Sequence, residues 1–390
     1  MSRPRVPLSV VLREWGRIGV TGFGGPPAHI ALLHGLVVDR EAWLSAEEFE
    51  AAVAACNLLP GPASTQLAIF CAYRVAGRRG ALVGGLAFIS PAVVCVLALS
   101  VLFLSSSPPL WVRAAGDGAG AAVAAVAVSA ARGLMRPSWA RAQPIGRARQ
   151  LRWLIYAAAG GASAVWLGPY LVVTLLCCGG FELVWTAGFV SRERLSVTTV
   201  PAMVVALFGV VGAVGGIGAL VWEAFKVGAL SFGGGFVIIP LMQHDAVHTY
   251  HWLTGPMFLN AVALGQVTPG PVVATVAAVG YAARGVGGGV IAAVVAFTPS
   301  FAAIMLGGPH FDRLRASARA QAFLDGAGPA AIGAILGSAV PLAEALRHGW
   351  QYALLAAAAV ALLILRRNVV EVLVGAGVVG VAAVLAGAAA

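Results

Sequence analysis

The sequence predicts an all-α polytopic membrane protein built from two inverted-topology repeats, and three observations carry that expectation. First, 60% of the 390 residues are hydrophobic and only 10% are charged, a balance that suits a chain passing repeatedly through a bilayer. Second, apolar sequence is interrupted twice by the same unit, Pro60-Gly61-Pro62 and Pro269-Gly270-Pro271, 209 residues apart. Third, distinctive residues on both sides of these units recur at that offset.

Taken in order, the apolar segments predict spans at 15–37, 48–76, 80–104, 112–134, 152–168, 170–190 and 197–215. A second set follows at 219–242, 257–283, 286–308, 322–343, 350–365 and 369–388, making about 13 membrane segments. Segments 48–76 and 257–283 cannot be continuous helices. Each proline lacks an N–H and clashes with the preceding turn, and the glycine between them lowers helix propensity. The net charge of +10 comes from arginines in the short connections, which explains it by topology rather than by nucleic acid. Arg74, Arg78, Arg79 and the arginines of 132–152, 313–319 and 366–367 fall on one side. Arg40, Arg113, Arg284 and Arg347 fall on the other. That bias predicts a cytoplasmic N-terminus and an external C-terminus. No cleavable leader is expected behind Arg3 and Arg5. The five cysteines lie within apolar spans without metal or disulfide spacing and are expected to be small core residues.

The repeat is legible residue by residue. Glu14 matches Glu223, Arg17 matches Lys226, Gly19 matches Gly228, and Phe23-Gly24-Gly25 matches Phe232-Gly233-Gly234. Trp43 matches Trp252, and Asn57 matches Gln266. At an offset of 208, Tyr73, Gly77, Pro91 and Asp117 match Tyr281, Gly285, Pro299 and Asp325. The units are placed at 1–195 and 196–390, and seven expected crossings between equivalent starts turn the second unit over relative to the first. Inverted repeats with paired broken helices are the layout of secondary transporters, whose substrate lies near the midplane.

The chemistry expected at that point follows from the breaks. Inside a bilayer, freed backbone groups are tolerated only against protein or a polar cavity. With Pro62 as the first helical residue, the N–H groups of Ala63, Ser64 and Thr65 sit unpaired at the positive end of a half-helix, an end that attracts anions. Gln66, and in the second unit Gln266 and Thr275, extend the polar lining. The Phe-Gly-Gly units allow close helix packing or close approach of backbone to a ligand. Arg17 and the sole lysine, Lys226, are candidate cations for the substrate, with Glu14 and Glu223 three residues earlier as neutralising partners and coupling acids. Asp117 and Asp325 are either polar lining or helix-start groups. His244, His248 and His251 with Asp245 have chelating spacing if helical, but the favoured reading is an interfacial loop holding no metal. An enzyme is disfavoured, since neither a nucleophile with its base nor H-E-x-x-H is present, and no phosphate-binding G-x-x-x-x-G-K-[ST] loop supplies ATP-driven transport.

The pair T-G-F-G-G-P-P-A-H (Thr21–His29) and L-P-G-P-A-S-T-Q, followed by S-F-G-G-G-F (Ser231–Phe236) and G-Q-V-T-P-G-P-V-V (Gly265–Val273), resembles the two-domain chromate ion transporter family over about residues 10–135 and 219–345. The resemblance implies export of chromate, a sulfate-like tetrahedral oxyanion, from the cytoplasm across a bacterial inner membrane, with no cofactor. Partners are then the anion and the lipid bilayer; homodimerisation is left open. Asn57 departs from the glutamine expected there, which Gln266 retains. A dianion leaving an inside-negative cell gains about 2.3 kcal/mol per charge per 100 mV, so uniport suffices and proton antiport is the alternative coupling. A sulfate or other oxyanion transporter and a passive anion channel share this architecture.

Overall fold

A computed structural model describes residues 6–57, 59, 61–105, 107–187, 216–231, 235–307 and 317–389. Among them every regular element is helical. The first half comprises α1 (Leu8–Thr21), α2 (Pro26–His34), α3 (Ala46–Cys56), α4 (Ala63–Phe103), α5 (Leu110–Ala142), α6 (Arg147–Ala162) and α7 (Leu171–Ala187). The second comprises α8 (Ile217–Leu230), α9 (Ile238–His244), α10 (Gly255–Val267), α11 (Val276–Gly307), α12 (Ala318–Glu344), α13 (Gly349–Ala359) and α14 (Val369–Leu385). Four helical stretches, Ala63–Phe103, Leu110–Ile145, Val272–Gly307 and Ala318–Glu344, are long and apolar enough to cross a membrane. The predicted span 197–215 lies outside the described residues.

Several predicted spans are not continuous. Segment 15–37 breaks at Gly24 and Gly25, whose φ values of 100° and 72° suit glycine alone. Beyond the break α2 runs back along α1, extended by a π turn over Gly35–Arg40. Arg40 returns to pair with Glu14, and Trp15 stacks on Trp43 with centroids 6.3 Å apart. Segment 48–76 also folds back: α3 opens with a Ser45/Glu48 capping box, and Glu48 then meets Arg74 at 2.8 Å, near the end of the returning helix. In the second half, Asp245 on a π turn after α9 returns to Lys226 of α8, and Gly265 lies against Thr275 across the second Pro-Gly-Pro break. Segments 15–37, 48–76 and 257–283 therefore fold back on themselves, and the two ends of 219–242 approach each other, so the count of about 13 separate crossings is not confirmed. Arg40 thereby moves to the same end of the molecule as Arg74.

α4 and α11 each contain a further reversal, at Gly77 (φ 69°, ψ −159°) and Gly285 (φ 63°, ψ −159°). After each turn the chain doubles back closely: Gly80 and Gly84 sit on Ala72 and Ala76, and Gly280 sits on Gly288 and Ala292, with no room for a Cβ. Only the stretches 78–103 and 286–307 then run the length of the molecule, about 39 and 33 Å at 1.5 Å per residue. Small residues let the other long helices approach equally closely. Gly160 packs on Ala330 between α6 and α12, and Gly118 packs on Ala376 between α5 and α14. Cys56, Cys71 and Cys178 are buried as expected of small core residues, whereas Cys177 is exposed.

Candidate functional site

Both Pro-Gly-Pro breaks end deep in the protein, and each rests on the other half. A Cβ at Gly61 (φ 119°) would lie 3.1 Å from Ser300 Oγ and 3.3 Å from the Gly228 carbonyl oxygen; one at Gly270 (φ 95°) would lie 2.8 Å from Ala92 Cβ and 3.6 Å from the Gly19 carbonyl oxygen. Gly19 and Gly228 are repeat partners, and so are Ala92 and Ser300 at the offset of 208. The contacts are thus reciprocal. A backbone bond joins the halves directly, from Gly270 N–H to Gly22 O at 2.9 Å.

Around this junction the first half-helix starts with Pro62 as its N-cap and Ala63 as its first residue, one position later than expected. Gln66 N–H makes the first helical bond, to Pro62 O at 3.0 Å. The N–H groups of Ala63, Ser64 and Thr65 precede that bond at the helix start. Ser64, Thr65 and Gln66 are all buried. The second half-helix starts as a 3-10 turn, Val272–Thr275, after Pro269, Gly270 and Pro271, and Thr275 Oγ1 donates to Val272 O at 2.7 Å. Gln266 is buried with Nε2 lacking a hydrogen-bond partner, whereas its repeat partner Asn57 caps α3 and is exposed. Gly25 comes within van der Waals reach of Val272, while Phe23 is 44% exposed. Pro60, Phe232, Gly233 and Gly234 lie outside the described residues.

Sequence reasoning missed three groups here. His29 is fully buried in the first half. Its Nε2–H donates to Gly22 O at 2.9 Å, the carbonyl that also accepts Gly270 N–H, and this tautomer leaves Nδ1 to accept from Ser64 Oγ at 3.2 Å. Ser231 Oγ and Ser300 Oγ, with Thr65 Oγ1, are buried with no hydrogen-bond partner among the described residues. Buried hydroxyls without partners are costly, so each of these groups is a candidate donor to a bound ligand.

The candidate cations behave differently from each other. Arg17 is exposed, and Glu14 pairs with Arg13 and Arg40 instead. Lys226 is buried and held by two carboxylates, Glu223 at 2.6 Å and Asp245, whose other oxygen accepts from Thr249 at 3.2 Å. Asp245 was not legible as a partner because the stretch after Met242 reads as an interfacial loop, yet it continues the helix, ending in a π turn. His244 and His248 stand with ring centroids 5.4 Å apart, and no cluster suited to a metal occurs among the described residues.

A family model described as chromate transporter matches residues 10–183 and 218–381, covering both halves and omitting the segment between them. The chain belongs to the chromate transporter family. Among curated members, it is 30% identical to a chromate transport protein of Cupriavidus metallidurans, over 97% of this chain and 94% of that one. It is 31% identical to a chromate transport protein of Pseudomonas aeruginosa over 84% of this chain and 79% of that one. A probable chromate transport protein of Synechococcus elongatus is 28% identical over 88% of this chain. No solved structure matches.

Proposed function

We propose that the chain is a secondary transporter, not an enzyme, that exports chromate or a sulfate-like oxyanion from the cytoplasm and binds it where the two Pro-Gly-Pro breaks meet. The observation that carries this reading is the reciprocal packing of Gly61 and Gly270 on the opposite halves, beside buried hydroxyls with no hydrogen-bond partner among the described residues. Two half-helix starts offer about half a charge each, and Thr65, Ser231, Ser300 and Gln266 supply neutral donors. In this reading the hairpins of the two halves dip into the bilayer from opposite faces, as inverted repeats, with the N-terminus cytoplasmic and the C-terminus external. Lys226 does not reach the anion, because two carboxylates already hold it. The Glu223–Lys226–Asp245 triad carries one more acid than base, and a coupling proton would bind there rather than at Glu14, which faces two arginines.

Proteoliposomes test the reading. With an imposed potential, labelled chromate flux should saturate and be competed by sulfate. Ser300→Ala should keep the fold, since Ala92 fills the equivalent position, and should raise the half-saturating concentration about tenfold or more, as loss of one hydrogen bond to a charged ligand costs about 1.5–3 kcal/mol. Flux that rises linearly with concentration would make the protein a channel, and an unchanged Ser300→Ala would move the site elsewhere.

A further inference from the structure

The repeat-related aspartates Asp117 and Asp325 occupy equivalent places with opposite contents. Each is approached by the third residue of a helix from the other half: Arg149 Nη2, in α6, donates to Asp325 O at 3.3 Å, and Gln351 Nε2, in α13, donates to Asp117 O at 3.4 Å. The glycine after each aspartate also packs alike, Gly326 on Cys178 and Glu182 of α7, Gly118 on Ala376 and Gly380 of α14. By that correspondence Gly380 stands where the first half has Glu182.

Around Asp325 the charges are matched. Arg149 bridges Asp325 at 2.9 Å and Glu182, Arg152 Nε meets Glu182 at 2.9 Å, and Tyr156 OH donates to it at 2.8 Å. Two guanidinium groups thus face two carboxylates, one of them, Glu182, only 1% exposed. Around Asp117 the balance differs. Arg113, Arg347 and His348 line a cavity of about 510 Å³ with Asp117 as its only acid among the described residues, and Gly380 brings no carboxylate. Asn260, 9% exposed, also lines it, and its amide can offer N–H donors.

We propose that this cavity is a second anion site, in which a small free oxyanion of the sulfate class takes the place that Glu182 fills in the other half. Arg347 and Arg113 compensate its charge, and the Asn260 amide N–H and a ring N–H of His348 donate to it. The choice of oxyanion rests on the proposed function; the charge imbalance does not. A lipid phosphate shares this chemistry, and the test separates the two sources.

Equilibrium binding of radiolabelled sulfate to the full chain in phosphatidylcholine nanodiscs should show two sites per chain. Arg347→Gln should weaken one of them at least tenfold, Asp117→Asn should tighten that same site several-fold, and Ser300→Ala should affect only the other. If Arg347→Gln does not fold, the tightening by Asp117→Asn carries the test. A single site lost in Arg347→Gln but kept in Ser300→Ala would support this inference and sink the central one. Sulfate binding that neither Arg347→Gln nor Asp117→Asn alters, or no binding at all, overturns it. So does displacement of sulfate from this site by phosphatidylglycerol nanodiscs, which would make a lipid headgroup the occupant.

Discussion

At Lys226 one amine faces two carboxylates in a buried setting, with Glu223 fully enclosed. Removing the only base from such a group leaves acids unpaired, a change that costs about 3–5 kcal/mol when one partner of a buried pair is deleted. Lys226→Gln should therefore lower the thermal midpoint of the purified protein sharply and lose transport with it. A variant that keeps its midpoint and loses only anion affinity would show that the amine meets the substrate. The sequence exposed half of this arrangement, since Glu223 and Lys226 share a helix face at a spacing of three. It hid Asp245, because its proximity depends on α9 folding back. His29 was hidden for a similar reason: nothing in its local context separates a core histidine from one that shares its acceptor, Gly22 O, with a backbone N–H of the other half. Arg17, matched to Lys226 in sequence, is exposed, because the first half draws its counter-charge from Arg40 on the return helix.

The Pro-Gly-Pro units were legible as breaks because two prolines and a glycine forbid a helix whatever the tertiary context. The turns at Gly77 and Gly285 were legible as well, falling where the spans 48–76 and 257–283 are expected to end and 80–104 and 286–308 to begin. The reversal at Gly24-Gly25 was not, because glycines in apolar sequence are equally consistent with close helix packing and 15–37 has the length of a full span. What distinguishes these glycines is backbone geometry. Gly285, at φ 63° and ψ −159°, lies in a region essentially restricted to glycine, and a Cβ there would touch nothing within 4 Å. Gly285→Ala should therefore cost about 1–3 kcal/mol through backbone strain alone. Chemical or thermal unfolding of the purified variant reads this directly, and wild-type stability would show that the chain does not turn there.

Across the whole molecule, the repeat visible as an offset in sequence reappears as contacts exchanged between halves. Val6 N–H bonds Val75 O at 3.0 Å, which ties the first segment to the Gly77 turn, while Gly216 lies beside Arg284 at the Gly285 turn. These turns are repeat partners, so the proposed inversion requires them to face opposite sides of the membrane. Arg78 and Val286 follow the two glycines at the offset of 208, and both are exposed. In a background carrying Cys177→Ser to remove the exposed native thiol, a membrane-impermeant maleimide should label Val286→Cys in intact cells. It should label Arg78→Cys only after permeabilisation, because Arg78, Arg79 and Arg74 cluster at that end and basic loops are retained inside. Hairpins that return to their own side do not alter this result, since each adds no net crossing, so the parity rests on the long helices and the segment 188–215 together. Labelling of both positions from one side would mean that the two halves run parallel, and the half-helix starts would then no longer converge on one anion from opposite faces.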